Sequence, residues 1–108
     1  MNDNNYVVLK QWMFSRLGLS SANDINIFAL IYGFSQDDSS EFKGSAKYIS
    51  TFFNISRATV MRSLKNLCLN DLVLKASEKA GPYTFIKYKV NKSKIEKLVQ
   101  INDNSVAK

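Results

Sequence analysis

The spacing of apolar residues in the first third of the chain predicts two helices. Residues 11–17 form a short helical pattern, and Gly18 can end it because glycine adopts a left-handed backbone at no steric cost. A longer helix is predicted from a cap at Ser20 or Ser21 to about Phe34. Its apolar residues form two interleaved stripes, each with the spacing i, i+3, i+4 and i+7: Ile25, Phe28, Ala29 and Tyr32, and Ile27, Leu30, Ile31 and Phe34.

A helix that is apolar nearly all round must be covered on two sides. The domain core can cover one side, and either Trp12 and Met13 or a second subunit can cover the other. We expect the Trp12–Met13 segment to do so, with a dimer as the alternative.

The middle of the chain predicts two helices joined by a short turn. Ser45 can cap the first, whose inward residues would be Ala46, Ile49 and Phe53, and Asn54 can adopt the left-handed backbone of a sharp turn. Ser56 can cap the second, which runs to about residue 70. Its apolar residues Val60, Leu64 and Leu67 form a narrow stripe. Two helices separated by so few residues constitute a helix-turn-helix unit.

The side of the second helix opposite its apolar stripe is basic and polar. It carries Ala58, Thr59, Arg62, Lys65 and Asn66, with Arg57 beside them at the helix start. Arginine can pair with guanine and asparagine with adenine in the major groove of DNA, while a small residue allows close approach. A solvated outer face is the alternative, but such faces usually mix charges, and no Asp or Glu lies between residues 56 and 70.

After Asn70 and Asp71 the pattern changes to that of a β-hairpin over about residues 72–90. A strand at residues 72–76, a turn at residues 78–82 and a strand at residues 83–90 are expected. Alternation in the second strand predicts a core side with Thr84, Ile86, Tyr88 and Val90 and an outer side with Tyr83, Phe85, Lys87 and Lys89. Lys79 near the turn and Lys87 could neutralise phosphates. Cover of the outer aromatic rings by another segment or a partner is the alternative.

The C-terminal residues predict one more helix. Ser93 and Glu96 have the spacing of a capping box, and Ile95, Leu98 and Val99 share one side of the helix that would follow. This helix could pack on the domain or pair with a second copy. We therefore expect a domain over residues 1–91, and over residues 92–108 a helix with a frayed polar tail from residue 102.

The segment between the second and third predicted helices carries the acidic residues Asp37, Asp38 and Glu41. They could bind a divalent ion, but no histidine and no glycine-bearing calcium loop accompanies them, which favours a solvated loop. Residues 41–43 are then predicted to form a short strand.

Composition limits the classes of function. The 108 residues suit one domain, and a net charge of +6 is concentrated at +5 over residues 54–90, against −1 over residues 1–53. No secretory signal is recognisable and Cys68 is alone, so a cytoplasmic setting is expected. Histidine is absent and the four glycines are scattered singly, which argues against an enzyme, a bound cofactor or a zinc site.

Residues 48–73, above all the run from Ile55 to Leu67, resemble the second and third helices of bacterial winged-helix domains. Residues 29–35 and 42–45 narrow the resemblance to the winged helix-turn-helix domains of replication and regulatory proteins of phages, plasmids and conjugative elements in Gram-positive bacteria. The resemblance covers roughly residues 6–90. It implies a mainly α fold with a small antiparallel sheet (α+β) of three strands, DNA binding by the helix from Ser56, and often a longer parent protein with a further domain.

The resulting hypothesis is sequence-specific binding of double-stranded DNA, as a transcription regulator or a replication-initiation module of a bacterial mobile element. Candidate base readers are Arg57, Thr59, Arg62 and Asn66, with Ala58 facing the bases closely and Ser56 at the helix start. Candidate phosphate contacts are Ser45, Lys47, Lys65, Lys79 and Lys87. The protein could act as a homodimer or as the N-terminal part of a longer chain. The alternative function is a winged-helix module that binds protein instead of DNA.

Overall fold

A computed structural model describes residues 6–35 and 45–106. The chain is helix-rich with one two-stranded antiparallel sheet in the described part, which is the α+β class that the resemblance implied. In chain order the elements are α1 (Gln11–Ser15), α2 (Ala22–Phe34), α3 (Ala46–Phe53), α4 (Arg57–Leu69), β1 (Val73–Ala80), β2 (Tyr83–Val90) and α5 (Lys92–Val106). The third strand expected at residues 41–43 and the acidic residues Asp37, Asp38 and Glu41 lie outside the described residues.

Helix α2 runs through the centre of the domain and is buried along most of its length. Ser21 caps it, because the Ser21 hydroxyl accepts a hydrogen bond from the Asp24 backbone N–H at 3.4 Å. The Trp12 ring packs edge-on against Phe28 and Tyr32, with ring centroids 6.1 and 5.2 Å apart. The second side of α2 is therefore covered by the Trp12–Met13 segment of the same chain, as predicted.

The predicted helix-turn-helix is confirmed as α3, a short turn and α4. Ser45 caps α3 by accepting a hydrogen bond from the Tyr48 N–H at 3.2 Å. Asn54 ends α3 with a left-handed backbone, φ 56°, and the next N–H, that of Ile55, bonds back to the Ser50 carbonyl at 3.0 Å. This pattern closes the carbonyl end of a helix and reverses the chain within three residues. Helix α4 can therefore start at Arg57 and cross α3.

The same closing pattern connects α4 to the hairpin. Asp71 is left-handed, φ 59°, and its N–H bonds to the Cys68 carbonyl while the Leu72 N–H bonds to the Leu67 carbonyl, both at 3.1 Å. Buried Leu72 then leads into β1.

Strand β1 is longer than the sequence predicted. It continues through residues 78–80, which were expected in the turn, and only Gly81 and Pro82 separate the paired residues Ala80 and Tyr83. Gly81 has a φ of 63°, which glycine adopts without steric cost, and the two-residue loop suits a tight hairpin. The hairpin of β1 and β2, called the wing below, is therefore regular, with eight residues in each strand.

Helix α5 starts at Lys92, and its cap is Asn91, so the prediction of a Ser93 cap was wrong. The Asn91 side-chain oxygen accepts a hydrogen bond from the Lys94 N–H at 3.3 Å, and its side-chain nitrogen donates to the Asp71 carbonyl at 2.9 Å. Ile95 is buried in the domain core, so α5 packs on the domain. The helix extends to Val106, through residues where a frayed tail was expected.

One hydrophobic core joins these elements. Burying a large aliphatic or aromatic side chain contributes about 1.5–3 kcal/mol relative to leaving it exposed. The largest side chains with less than 2% exposure come from six different parts of the fold and are Met13, Ile27, Phe28, Ile31, Ile49, Val60, Leu67, Leu72 and Val73.

None of the helices in the described part of the chain has the length and the apolar character that a membrane span requires.

Candidate nucleic-acid interface

Helix α4 has one buried side and one exposed side, as its sequence predicted. Val60, Leu64 and Leu67 are at most 2% exposed, and α4 packs against α2, α3 and β1. On the opposite side Thr59 is half-buried and Ala58, Arg62, Lys65 and Asn66 are exposed, while Arg57 is exposed beside them at the helix start. The structure thus brings these six residues to one surface.

Two hydroxyl groups, those of Ser56 and Thr59, lie at the cap of α4. The Ser56 hydroxyl accepts a hydrogen bond from the Thr59 backbone N–H at 3.1 Å and lies 2.8 Å from the Thr59 hydroxyl. The remaining N–H groups of the first turn leave a partial positive charge at this helix end, which favours an anion. Exposed Arg57 adds a full positive charge to the same end.

The exposed side of α4 carries positive charge without a carboxylate of its own. No Asp or Glu occurs in Arg57–Leu69, and neither Arg62 nor Lys65 forms an ion pair within the described residues. Asn66 differs from its neighbours, because its side-chain nitrogen donates to the Asp24 carboxylate of α2 at 2.6 Å. The Asn66 amide, which was predicted to read bases, thus forms a hydrogen bond within the protein.

Two further predicted residues lie at the start of α3. Ser45 is exposed, and its hydroxyl caps the helix. Lys47 is exposed in the first turn of the same helix. They flank the helix-turn-helix unit on the side of α3, where contacts to a DNA backbone are usual for the first helix of such units.

The pairing of the hairpin decides which wing residues face α4. Directly opposite residues of an antiparallel pair point to the same face, and Lys75 is opposite buried Tyr88 while Lys79 is opposite Thr84. Lys75 and Lys79 therefore share the face of the hairpin that packs on the core. Of the two predicted wing cations, Lys79 lies on this face.

Lys87 lies on the opposite face of the wing. Its ammonium group pairs with the Glu78 carboxylate at 2.6 Å. That face also carries Lys89 and the exposed rings of Tyr83 and Phe85, as the alternation predicted.

Lys75 is a candidate contact that the sequence analysis missed. It lines a groove of about 510 Å³ between α4 and the hairpin, together with Arg62, Lys65, Leu64 and Tyr88. The predicted strand of residues 72–76 contains Lys75, but its apolar residues Leu72 and Leu74 alternate with Val73 and Lys75. The local pattern therefore did not assign Lys75 to the core side, which follows from its pairing with buried Tyr88.

The two side chains of this groove that could become anionic, Cys68 and Tyr88, keep their neutral forms. Burial raises the pKa of the Cys68 thiol, and the positive charge of Lys75 acts in the opposite direction. Burial also raises the pKa of the Tyr88 phenol, with a further rise from Cys68. Neither group therefore adds negative charge to the groove near neutral pH.

Within residues 6–35 and 45–106, no group of three or more Cys, Asp or Glu is placed to hold a metal ion.

Comparison with known proteins supports the fold. The chain matches no protein-family model and no curated protein. It is similar to the solved structure of a protein from Methanosarcina mazei Go1 described as a possible transcriptional regulator. The two share 22% identity with a TM-score of 0.56, over 86% of this chain and 74% of that one. The similarity in fold agrees with a winged helix-turn-helix of the α+β class.

Proposed function

We propose that this protein binds double-stranded DNA, with α4 in the major groove and the hairpin beside the backbone. The observation that carries the proposal is the exposed side of α4, where Arg57, Arg62 and Lys65 stand together with no acidic residue in the helix. Arginine and lysine on such a face can bind base edges and phosphates. No catalytic role is proposed.

Side chains of α3, of α4 and of the wing have different roles in this proposal. Arg57, Thr59 and Arg62 read bases, Ala58 lets the helix approach them closely, and Ser56 and Lys65 contact the backbone. Ser45 and Lys47 contact phosphates from α3. In the wing, the shared face of Lys75 and Lys79 favours these two residues for phosphate contacts over Lys87, which is held by Glu78.

The biological setting is proposed from the sequence resemblance. Residues 1–91 would act as the DNA-binding domain of a cytoplasmic transcription regulator or of a replication-initiation protein of a mobile element, with α5 leading to any further domain. A homodimer would bind two half-sites about 34 Å apart, whereas a single copy would bind one asymmetric site. The neighbour from M. mazei, described as a possible transcriptional regulator, supports the regulatory version.

The test is binding of a labelled duplex of random sequence, followed by fluorescence anisotropy across a salt series. We expect salt-dependent binding by the parent protein and its loss in the Arg57→Ala, Arg62→Ala variant, because both cations lie on the α4 face. The matched control is Lys10→Ala, Lys97→Ala, which removes the same charge from exposed residues outside α4 and the hairpin. A folded parent that does not bind at low salt would overturn the proposal.

One observation favours a second candidate, a module that binds protein. Met61 and Leu69 are 49% and 72% exposed on α4 and line the groove together with Leu64 and Tyr88. Exposed apolar side chains around a groove are typical of a protein interface. Under this alternative the parent shows no salt-dependent binding to the duplex.

A further inference from the structure

A single hydrogen bond connects the start of α2 to the exposed side of α4. The Asp24 carboxylate is buried, with 7% of the residue exposed, and accepts the Asn66 side-chain N–H at 2.6 Å across 42 positions of sequence. The Asn66 side-chain oxygen, in turn, accepts a hydrogen bond from the Asn70 side-chain nitrogen at 3.3 Å. Asn70 thereby orients the amide so that its N–H group points to Asp24.

Asp24 lies next to the cations of α4. A cleft of about 380 Å³ between α2 and α4 is lined by Asp24 and Asn66 together with Thr59, Arg62 and Lys65. A buried carboxylate that loses its donor is costly, and long flexible cations at the same cleft are the groups able to replace it. A cation that pairs with Asp24 is withdrawn from DNA.

We infer that Asn66 is a positioning residue, which satisfies the Asp24 carboxylate and so leaves Arg62 and Lys65 to bind DNA. A neutral amide suits this task, because it satisfies the carboxylate without cancelling any positive charge on the α4 face. The inference rests on the proposed DNA binding. It changes the role of Asn66 from a base reader to a residue that acts through its neighbours.

The salt dependence of DNA binding tests this role. The logarithm of the binding constant falls with the logarithm of salt concentration by about 0.9 for each phosphate contact. In Asn66→Ala we expect Asp24 to capture Arg62 or Lys65, which weakens binding severalfold and reduces the slope by about 0.9. In the double variant Asp24→Asn, Asn66→Ala the carboxylate is gone, and we expect the parental slope to return.

Two controls separate this mechanism from general damage to the fold. Asn23→Ala removes an amide from the same cleft and leaves the bond between Asp24 and Asn66 intact, so its slope should equal that of the parent. Asp24→Asn alone should also keep the parental slope, because the carboxylate it removes is already satisfied by an amide. Circular dichroism at the assay temperature establishes that each variant is folded.

The outcomes are distinct from those for the proposed function. If the parent does not bind the duplex, the proposed function fails. If the parent binds and Asn66→Ala keeps the parental slope, or if the double variant does not restore it, the inference about Asn66 is wrong. Should Asn66→Ala be unfolded, a rise in slope for Asp24→Asn alone would overturn the inference, because it would show that Asp24 already withdraws a cation.

Discussion

Among the residues that the structure describes, Asn54 and Asp71 carry side chains and adopt the left-handed backbone, with φ of 56° and 59°. Each follows a helix and lets the next residues close its last carbonyl groups. Asn and Asp tolerate this conformation better than other residues with a Cβ, but glycine adopts it without steric cost. Asn54 was predicted from the sequence, because the requirement is local and the residue types that meet it are few. At the second turn Asn70 and Asp71 both meet it, so the sequence alone did not decide between them.

The turn before the wing predicts a stabilising substitution. Asp71→Gly should raise the free energy of unfolding by about 0.5–1 kcal/mol, since it relieves the left-handed backbone and keeps the main-chain bonds to Cys68 and Asn91. The measurement is urea unfolding followed by circular dichroism.

The neighbouring residue supplies the control. Asn70 has a φ of −90°, and its side chain donates to the Asn66 carbonyl at 2.9 Å, so Asn70→Gly should destabilise the protein. Equal effects of the two glycines would contradict the role of the left-handed backbone at residue 71.

The element scale shows where local patterns were sufficient. The caps at Ser21, Ser45 and Ser56 were predicted, because a cap and the N–H it accepts from lie within three residues. The bond between Asn66 and Asp24 could not be predicted, since helical periodicity shows which side of α4 is exposed but not which residue of another helix meets it.

The hairpin and α5 show how a neighbouring element overrides a local signal. Ser93 and Glu96 have the spacing of a capping box, but Asn91 must close the base of the hairpin, and its N–H bonds to the Leu72 carbonyl at 2.9 Å. Since Asn91 is already fixed there, its side chain caps the helix two residues earlier than predicted. In β1, pairing with β2 extends the strand through the polar residues 78–80.

A comparison of two alanine variants tests the start of α5. Asn91→Ala should lower the free energy of unfolding by about 1–2 kcal/mol, because it removes both the cap of α5 and the side-chain bond to the Asp71 carbonyl. Ser93→Ala should change it by less than about 0.5 kcal/mol, the usual range for an exposed position. Thermal or urea unfolding measures both, and a larger effect at Ser93 would show that the helix is capped there.

At the scale of the whole molecule, positive charge gathers on one surface made by two separate elements. The groove between α4 and the hairpin places Lys75 beside Arg62 and Lys65, although these residues are ten or more positions apart in sequence. The opposite face of the hairpin has a different composition, with exposed Tyr83 and Phe85 and with Lys87 held by Glu78. A DNA backbone that follows α4 would therefore meet one face of the wing and not the other.

That difference between faces gives a prediction in which two variants carry the same change in charge. Lys75→Ala, Lys79→Ala removes two cations from the face toward α4, and Lys87→Ala, Lys89→Ala removes two from the opposite face. Because each lost phosphate contact reduces the salt slope by about 0.9, the first variant should lose up to about 1.8 and the second should keep the parental slope. The anisotropy salt series measures both. A larger loss in the second variant would mean that the wing turns its aromatic face to the DNA, and Lys87 would then contact phosphate only after its bond to Glu78 is broken.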